Sequence, residues 1–366
     1  MKNKILASAL GILLFSLNQD CSVISADENY TFTYIKNNNS ITITGGEGTG
    51  EILTIPEYID GLPVTEIAEN AFKDTDTFSS LYLPDTLLKI KESSFQNCNN
   101  LETVYIGSSV SEIELYAFSA CNNLTEINVS NDNYYFASEN GSLFNYSKSR
   151  LIRYAGKGGK VSLYNTRLEA INDTAFFGTL NITDIEIPDT VAYIGDYAFA
   201  GCINLESIDI PKGTYYLGNS CFFSCTNLKK VQLPETLSGI NPDTFCVCPE
   251  LRNIIIPESI SEIEKDAFFA HGKNLNIYGF QKSKAQDYAY ENNISFYLLG
   301  DINKDGTIDA SDASDVLADY AYVASGATSN FDESEKIISD INMDGTIDAS
   351  DASYILALYA KYASGE

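Results

Sequence analysis

The stretch LESIDIPKGTYYLGNSCFFSCTN, residues 205–227, indicates how most of this chain folds. Its opening alternates apolar and polar side chains, so Leu205, Ile208 and Ile210 are expected to face inward in a short strand that Pro211 ends. The stretch is one copy of a unit that recurs every 23 residues. A single unit of this length cannot bury its apolar side alone, so neighbouring units must stack.

Ladders of identical residues mark the 23-residue period. Phenylalanines keep the interval in two series, which are Phe72, Phe95 and Phe118, and then Phe176, Phe199, Phe222, Phe245 and Phe268. Stacked units place such residues in columns inside one continuous core and align the strands as a parallel sheet. The segment around each phenylalanine is expected to be a short helical or irregular turn on the opposite side. The sequence therefore predicts a solenoid of the α/β class.

The period is interrupted between Phe118 and Phe176. We interpret residues 131–165 as an insertion that protrudes from the solenoid, with a hairpin turn at Asn140-Gly141. Before the repeats, segments from about Tyr30 predict strands that cover the open N-terminal end. After them, GFQKSKAQDYAYENNISFYLL predicts one helix and a last strand as a C-terminal cap.

The N-terminus has the layout of a secretory signal peptide, residues 1–26. Two lysines are followed by an apolar run from Ile5 to Leu17 and then by small residues. No later run reaches the ~18 apolar residues that a membrane span requires. We therefore expect a secreted, extracellular protein without a membrane span.

The formal charge of −27 argues against nucleic acid and anionic membrane surfaces as partners, because both repel an acidic chain. The excess is concentrated at the C-terminus, where residues 299–366 contain 14 acidic residues and 3 lysines. This density of carboxylates suggests a bound cation.

Five of the eight cysteines occupy one position of the repeat, namely Cys98, Cys121, Cys202, Cys225 and Cys248. We expect them to be small buried residues stacked in a column. The alternative is a disulfide framework, which is typical of secreted proteins. Cys221 and Cys246 lie off this column.

The full repeat pattern is seen in ITDIEIPDTVAYIGDYAFAGC, residues 182–202. It combines L-x-x-I-x-I-P, V-x-x-I-G and AF-x-x-C, and it resembles the BspA-like, bacterial surface-antigen type of leucine-rich repeat. The resemblance covers residues ~30–298 and implies a leucine-rich-repeat solenoid domain at residues 27–298. It also implies adhesion or protein binding with diverse targets.

The outward column of the strands is the candidate ligand face of this solenoid. The polar position between the last two apolar residues of each strand should point to solvent, which gives Tyr82, Tyr105, Asn128, Glu186, Asp209 and Gln232. Aromatic side chains are favoured at protein interfaces and stack on sugar rings. The partner is therefore expected to be a protein or a glycan, although an ordinary solvated strand face is the alternative.

The C-terminal region contains one sequence motif in two near-identical copies. DINKDGTIDASDAS starts at Asp301 and DINMDGTIDASDAS starts at Asp340. In each copy oxygen-bearing residues stand at positions 1, 3, 5, 7, 9 and 12 of a twelve-residue loop, with glycine at 6. This is the spacing that surrounds calcium with oxygen ligands, including the main-chain carbonyl of position 7. We predict two Ca²⁺ ions, held by Asp301, Asn303, Asp305, Thr307, Asp309 and Asp312, and by Asp340, Asn342, Asp344, Thr346, Asp348 and Asp351. A solvated acidic loop is the alternative for either copy alone.

Each loop leads into a segment of helical period, while SFYLLG before Asp301 reads as a strand. The two copies are thus expected to be loop-then-helix halves, or F-hand motifs, of a small all-α module. Residues 299–366 closely resemble a type I dockerin, the module that binds the cohesins of a cellulosome scaffoldin. The resemblance implies that cohesin is contacted by Ala310, Ser311, Leu317, Ala318 and Tyr322, and by Ala349, Ser350, Leu356, Ala357 and Lys361. The near-repeat implies that cohesin could be bound in either of two orientations.

Catalysis is not expected. The sequence contains one histidine, His271, and no G-x-S-x-G motif. A Ser-His-Asp or Cys-His catalytic arrangement would therefore have to use His271. We interpret the chain as a secreted, non-catalytic cellulosome component that takes part in polysaccharide degradation through protein–protein interactions. The alternatives are a carbohydrate-active or protein-modifying enzyme, and a protease inhibitor or adhesin.

Overall fold

The computed structural model describes residues 21–25, 29–164 and 167–364. Most of the predicted signal peptide, residues 1–20 and 26, lies outside these ranges. The strand Cys21–Ser25 within it pairs antiparallel with the strand Tyr30–Lys36. Along the described part of the chain, no helix has the length and apolar character needed to cross a bilayer.

The N-terminal part of the solenoid consists of eleven short strands. They are β1 Cys21–Ser25, β2 Tyr30–Lys36, β3 Ile41–Gly48, β4 Ile52–Thr54, β5 Tyr58–Ile59, β6 Leu62–Ile67, β7 Ser80–Tyr82, β8 Lys89–Ile90, β9 Thr103–Ile106, β10 Glu112–Ile113 and β11 Glu126–Val129. They form a front sheet in the order β11-β9-β7-β4 and a back sheet in the order β1-β2-β3-β6-β8-β10, while β5 pairs with β6. Parallel neighbours pair residues one repeat apart, as Tyr82 and Tyr105 do.

The insertion contributes four strands, which are β12 Phe136–Glu139, β13 Ser142–Asn145, β14 Arg150–Arg153 and β15 Gly159–Ser162. The predicted hairpin is confirmed, because β12 and β13 pair antiparallel around Asn140 and Gly141, whose φ angles are 48° and 78°. The expectation that the whole insertion protrudes is wrong. Strand β14 pairs with β16 in the following back sheet, and β15 pairs with β17 in the following front sheet. Leu151 of β14 and Val161 of β15 are buried in the core, so these strands belong to the solenoid.

The C-terminal part continues with eleven strands and one helix. They are β16 Ala170–Ile171, β17 Ile182–Glu186, β18 Tyr193–Ile194, β19 Ser207–Asp209, β20 Tyr216–Leu217, β21 Lys230–Gln232, β22 Gly239–Ile240, β23 Asn253–Ile255, β24 Glu262–Ile263, β25 Asn276–Gly279, α1 Lys284–Glu291 and β26 Ser295–Leu298. The front side carries the sheets β15-β17-β19-β21 and β23-β25-β26. The back side carries β12-β13-β14-β16-β18-β20 and β22-β24. Helix α1 and strand β26 form the predicted C-terminal cap.

Each regular unit makes one front strand, one back strand and a phenylalanine-bearing turn. In the unit from residue 205, Pro211 follows β19, β20 forms the back strand, and Phe222 sits in the turn. The turn uses left-handed residues, with φ angles of 52° at Ser220 and 59° at Ser224. The Phe222 amide donates to the Thr244 carbonyl of the next unit at 2.9 Å. The turns therefore stack through hydrogen bonds as the strands do.

The phenylalanine ladder forms the centre of the core, as predicted. Consecutive rings lie 4.8 to 5.5 Å apart and nearly parallel within Phe72–Phe95–Phe118 and within Phe176–Phe199–Phe222–Phe245–Phe268. The buried apolar residues form two clusters, one around each series of phenylalanines. The insertion lies between them, where the ladder is interrupted between Phe118 and Phe176. Tyr154 stacks on Phe176 there, at 4.8 Å.

The cysteine column is confirmed as a set of buried free thiols rather than disulfides. Each Sγ donates to the carbonyl of the phenylalanine 26 residues earlier, at 3.1 to 3.2 Å, in Cys98, Cys121, Cys202, Cys225 and Cys248. Cys221 and Cys246 are also buried and free. Burial raises the pKa of the Cys202 and Cys248 thiols to about 12, so both stay protonated at neutral pH.

The C-terminal region contains three helices, α2 Ala310–Ala324, α3 Glu333–Ser339 and α4 Ala349–Ser364. Helices α2 and α4 pack against each other. Strand β26 precedes the first loop, as predicted. Helix α3 precedes the second loop, which the sequence interpretation missed, although Asp332 and Glu335 form a capping box at its start.

Candidate functional site

The first loop, residues 301–312, is wound around the carboxylate of Asp301. Its Oδ1 accepts from the Asp305 amide at 3.0 Å and its Oδ2 from the Gly306 amide at 2.9 Å. Gly306 has a φ of +89°, a conformation that L side chains rarely adopt. Glycine at this position therefore lets the loop turn sharply enough to bring its amides onto Asp301.

Three further side chains of this loop stabilise local turns. The Asn303 Oδ1 accepts from the Asp305 amide at 2.9 Å, and the Asp305 Oδ1 accepts from the Thr307 amide at 2.9 Å. The Asp309 Oδ1 accepts from the Ser311 amide at 2.6 Å. Such Asx turns hold short polar side chains close to their own backbone. The predicted oxygen ligands are thus arranged along one curved segment.

Asp312 closes the loop and starts the helix that follows. It is fully buried, its Oδ1 accepts from the Ile302 and Asn303 amides, and its Oδ2 accepts from the Asp309 amide. Asp309 is the N-cap of α2 and Asp312 is its N3 residue, so together they form a capping box. The two aspartates that end the loop are therefore also the residues that make α2 begin there.

The second loop, residues 340–351, repeats this geometry. The Asp340 carboxylate accepts from the Asp344 and Gly345 amides at 3.1 and 3.0 Å. Asp351 is fully buried, and its Oδ2 accepts from the Asp348 amide at 2.9 Å. Gly345 has a φ of +88°. The two loops thus agree in backbone conformation as well as in sequence.

Burial affects the carboxylates at the two ends of each loop. It raises the pKa of Asp301, Asp312, Asp340 and Asp351, because removal from water disfavours their charged forms. A buried carboxylate has lost the water that stabilises its negative charge, so a nearby cation stabilises it. Hydrogen bonds act in the other direction elsewhere in the loops: those from Thr307 lower the pKa of Asp305, and those from Thr346 lower the pKa of Asp344.

The donor set fits calcium. Carboxylate, amide and carbonyl oxygens are the ligands of this hard cation, and the loop supplies all three kinds at the required positions. Across the described ranges, no three acidic, cysteine or histidine side chains by themselves converge into a metal-binding group. The carboxylates are instead turned toward loop amides, and the predicted ligand set also includes Asn303, Asn342 and the carbonyls of Thr307 and Thr346.

The helical residues predicted to contact cohesin lie at the surface. Nine of them are exposed and Lys361 is half-exposed; the exposed ones are Ala310, Ser311, Leu317, Ala318, Tyr322, Ala349, Ser350, Leu356 and Ala357. Val316 and Ile355 face the core between α2 and α4. The sequence interpretation did not include Val323 and Tyr354 among the cohesin contacts, yet both are large and exposed. Their positions outside the inward helical stripe were the available signal.

The candidate ligand face of the solenoid is divided between two sheets. Tyr82 and Tyr105 stack in the first front sheet with ring centroids 4.3 Å apart, and Asn128 follows in the same register. Glu186, Asp209 and Gln232 lie in the second front sheet, beyond the insertion. Two of these three are paired with lysines: Glu186 with Lys160 at 2.8 Å and Asp209 with Lys230 at 3.8 Å. The tyrosine pair is therefore the most distinctive part of this face.

The repeat geometry and the twin loops define a class of protein, a leucine-rich-repeat solenoid joined to a calcium-loop module. The family model of the BspA type leucine rich repeat region matches residues 49–154 and 168–296 in 6 copies. The chain belongs to this family. Residues 299–357 match the dockerin type I domain, a domain that binds calcium and docks onto cohesins.

Several solved structures are similar to the chain. A leucine-rich repeat protein from Bacteroides ovatus is 20% identical over 75% of this chain and 67% of its own, with a TM-score of 0.49. A leucine rich cell surface protein from Faecalibacterium prausnitzii is 20% identical over 72% and 89%, with a TM-score of 0.34. The pneumococcal vaccine antigen PcpA is 16% identical over 76% and 98%, with a TM-score of 0.39. None of the curated proteins matches the chain.

Proposed function

We propose that this chain is a secreted, non-catalytic component of a polysaccharide-degrading complex. Its two kinds of domain are protein-interaction modules of the cellulosome type. In this proposal the dockerin, residues 299–366, binds a scaffoldin cohesin in a calcium-dependent way. The solenoid, residues 27–298, then brings a protein or glycan ligand to the complex.

One observation carries the proposal. Both C-terminal loops hold their position-1 carboxylate on two loop amides and their position-12 carboxylate at the start of a helix. Calcium bound by Asp301 through Asp312, and by Asp340 through Asp351, offsets the charge of these buried groups. Each loop shares residues with the first turn of the helix that follows it, so calcium binding and helix formation are coupled.

Calcium removal is the first test. In a chelator such as EGTA, we expect cohesin binding to fall by at least about a hundredfold and the helical circular dichroism signal to decrease, because metal and folding are linked in such sites. Cohesin affinity measured by calorimetry in calcium and in chelator checks this. The Asp312→Ala variant should bind weakly even in calcium, whereas Asp132→Ala, at an exposed position of the insertion and outside the C-terminal module, serves as the control. Undiminished binding in chelator contradicts the proposal.

The stacked pair of Tyr82 and Tyr105 is proposed as the main contact of the solenoid with its ligand. Both rings are more than a third exposed and lie flat against each other, so they offer a rigid aromatic surface. A pull-down and a glycan array with the full chain would identify the ligand. The double variant Tyr82→Ala, Tyr105→Ala should then lose about tenfold or more in affinity. Tyr215→Ala, an exposed tyrosine beside the back sheet, is the control, and equal binding by parent and double variant would contradict this assignment.

No catalytic device is part of the proposal. His271, the single histidine of the sequence, is half-buried in the last turn of the solenoid. Its Nδ1 lies 2.7 Å from the carbonyl oxygen of Gly272. The ring is thus engaged with its own turn, which fits a structural role better than the role of a general base.

A further inference from the structure

The C-terminal module and the end of the solenoid share one core. Tyr278 and Phe280 of the solenoid are fully buried in the same apolar cluster as residues of the C-terminal module, which include Leu299, Ile302, Val316, Ile341 and Ile355. A Cβ added to Gly300, at the junction, would lie 2.9 Å from the Ile341 Cδ1. The Gly300 amide also donates to the Ile338 carbonyl, at 2.9 Å. The module is therefore packed against the solenoid and not carried on a free linker.

This packing involves the two repeat copies unequally. Lys361, near the end of α4, forms an ion pair with Glu258 of the solenoid at 2.7 Å, across 103 residues of sequence. The neighbouring Tyr362 is half-buried against the shared core, and burial raises the pKa of its hydroxyl. The residue that corresponds to Lys361 in the first copy is Tyr322, which is exposed. The end of α4 therefore lies against the solenoid, and the end of α2 does not.

The surface beside α2 also has a distinct shape and charge. A crevice runs along this helix, and its lining includes Ala318, Tyr322 and Phe331. Asp315 and Glu335 stand at the same crevice. Glu335 is already paired with Lys304 at 3.3 Å, so the crevice fits a partner surface that presents an apolar side chain beside a basic group that meets Asp315.

We infer that, in the intact chain, cohesin binds through the face of α2, because the end of the related face of α4 is held against the solenoid at Lys361. The inference rests on the proposed function, because it assumes that cohesin is the partner. Repeat symmetry alone makes the two faces equivalent. The contact of Lys361 with Glu258 and the burial of Tyr362 remove this equivalence, since a partner lying along α4 would meet the solenoid at the end of the helix.

A matched pair of variants tests the inference. Leu317 and Leu356 occupy the same repeat position and are 43% and 44% exposed, so each can be replaced by alanine without opening the core. The probe is a recombinant type I cohesin that binds the full-length parent in calcium, found by screening a panel. We expect Leu317→Ala to weaken binding about tenfold or more and Leu356→Ala to change it less than about twofold.

The outcomes separate the inference from the proposed function. Loss of binding only in the double variant, or a larger loss from Leu356→Ala, overturns the choice of α2 while the proposed function stands. A parent chain that binds no cohesin of the panel in calcium overturns the proposed function itself. Hydrogen exchange on the unmodified chain gives a second measurement that needs no variant. Added cohesin should protect residues 310–324 more than residues 349–364, and the reverse pattern contradicts the inference.

Discussion

At the residue scale, Arg153 is the most unusual side chain of the solenoid. The residue is 5% exposed, and Nη1 of its guanidinium donates to the carbonyls of Thr174, Ala175 and Phe177 at 3.1 to 3.4 Å. In regular units such turn carbonyls accept from amides of the preceding unit, as the Ala117 carbonyl does. Two of these carbonyls also accept from amides across the insertion, Ala175 from Tyr154 at 2.9 Å and Phe177 from Ala120 at 3.1 Å, so Arg153 adds further donors where the two halves of the solenoid meet. Burial lowers its pKa, because the charged form is removed from water.

We predict that Arg153→Ala destabilises the protein by about 2–4 kcal/mol, since it leaves a cavity and removes donors from buried carbonyls. Urea unfolding monitored by tyrosine fluorescence measures the change in the free energy of unfolding. Arg150→Ala, an exposed arginine of the same strand, should stay within about 0.5 kcal/mol of the parent. If both variants unfold at the same urea concentration as the parent, Arg153 is not needed to join the two halves of the solenoid.

At the element scale, the regular units could be predicted because each one repeats the same local solution. Identical phenylalanines at a constant interval can be buried together only when the units stack, and the front strands alternate visibly. The back strands are mostly two residues long, which is too short for a period of two to be recognised, and their partners lie in other units. The role of β14 and β15 in the insertion was equally hard to predict. It becomes clear only from their pairing with β16 and β17, which shows that β14 and β15 complete a unit of the solenoid.

The calcium loops were predictable for a related reason. Their candidate ligand positions are defined by spacing within twelve residues, and both the turn at Gly306 and the helix start at Asp312 are local. The helical positions proposed to contact cohesin came from family resemblance, since helical period can mark Leu317 as exposed but does not say which partner it would contact. The pair of Lys361 and Glu258 had no sequence signal, because it joins residues 103 positions apart.

At the scale of the whole molecule, the shared core should transmit calcium binding to the solenoid. Strands β25 and β26 contribute Tyr278 and Tyr297, whose rings stack at 5.1 Å, to the cluster that contains Ile302 and Ile341 next to the two loops. Calcium at about a hundred times its Kd stabilises the state that binds it by about 2.7 kcal/mol. Part of this stabilisation must reach β25 and β26 if the cluster forms and opens as one unit.

We therefore predict that chelation speeds amide hydrogen exchange in residues 276–279 and 295–298, by up to about a hundredfold. Strands β7 and β9 belong to the separate N-terminal cluster, so their exchange should stay unchanged and provides an internal control. The double variant Asp301→Ala, Asp340→Ala, measured in calcium, should reproduce the effect and exclude a direct action of the chelator. Unchanged exchange in β25 and β26 in both experiments would mean that the loops fold independently of the solenoid, and that the contact of α4 with Glu258 is too weak to block a partner.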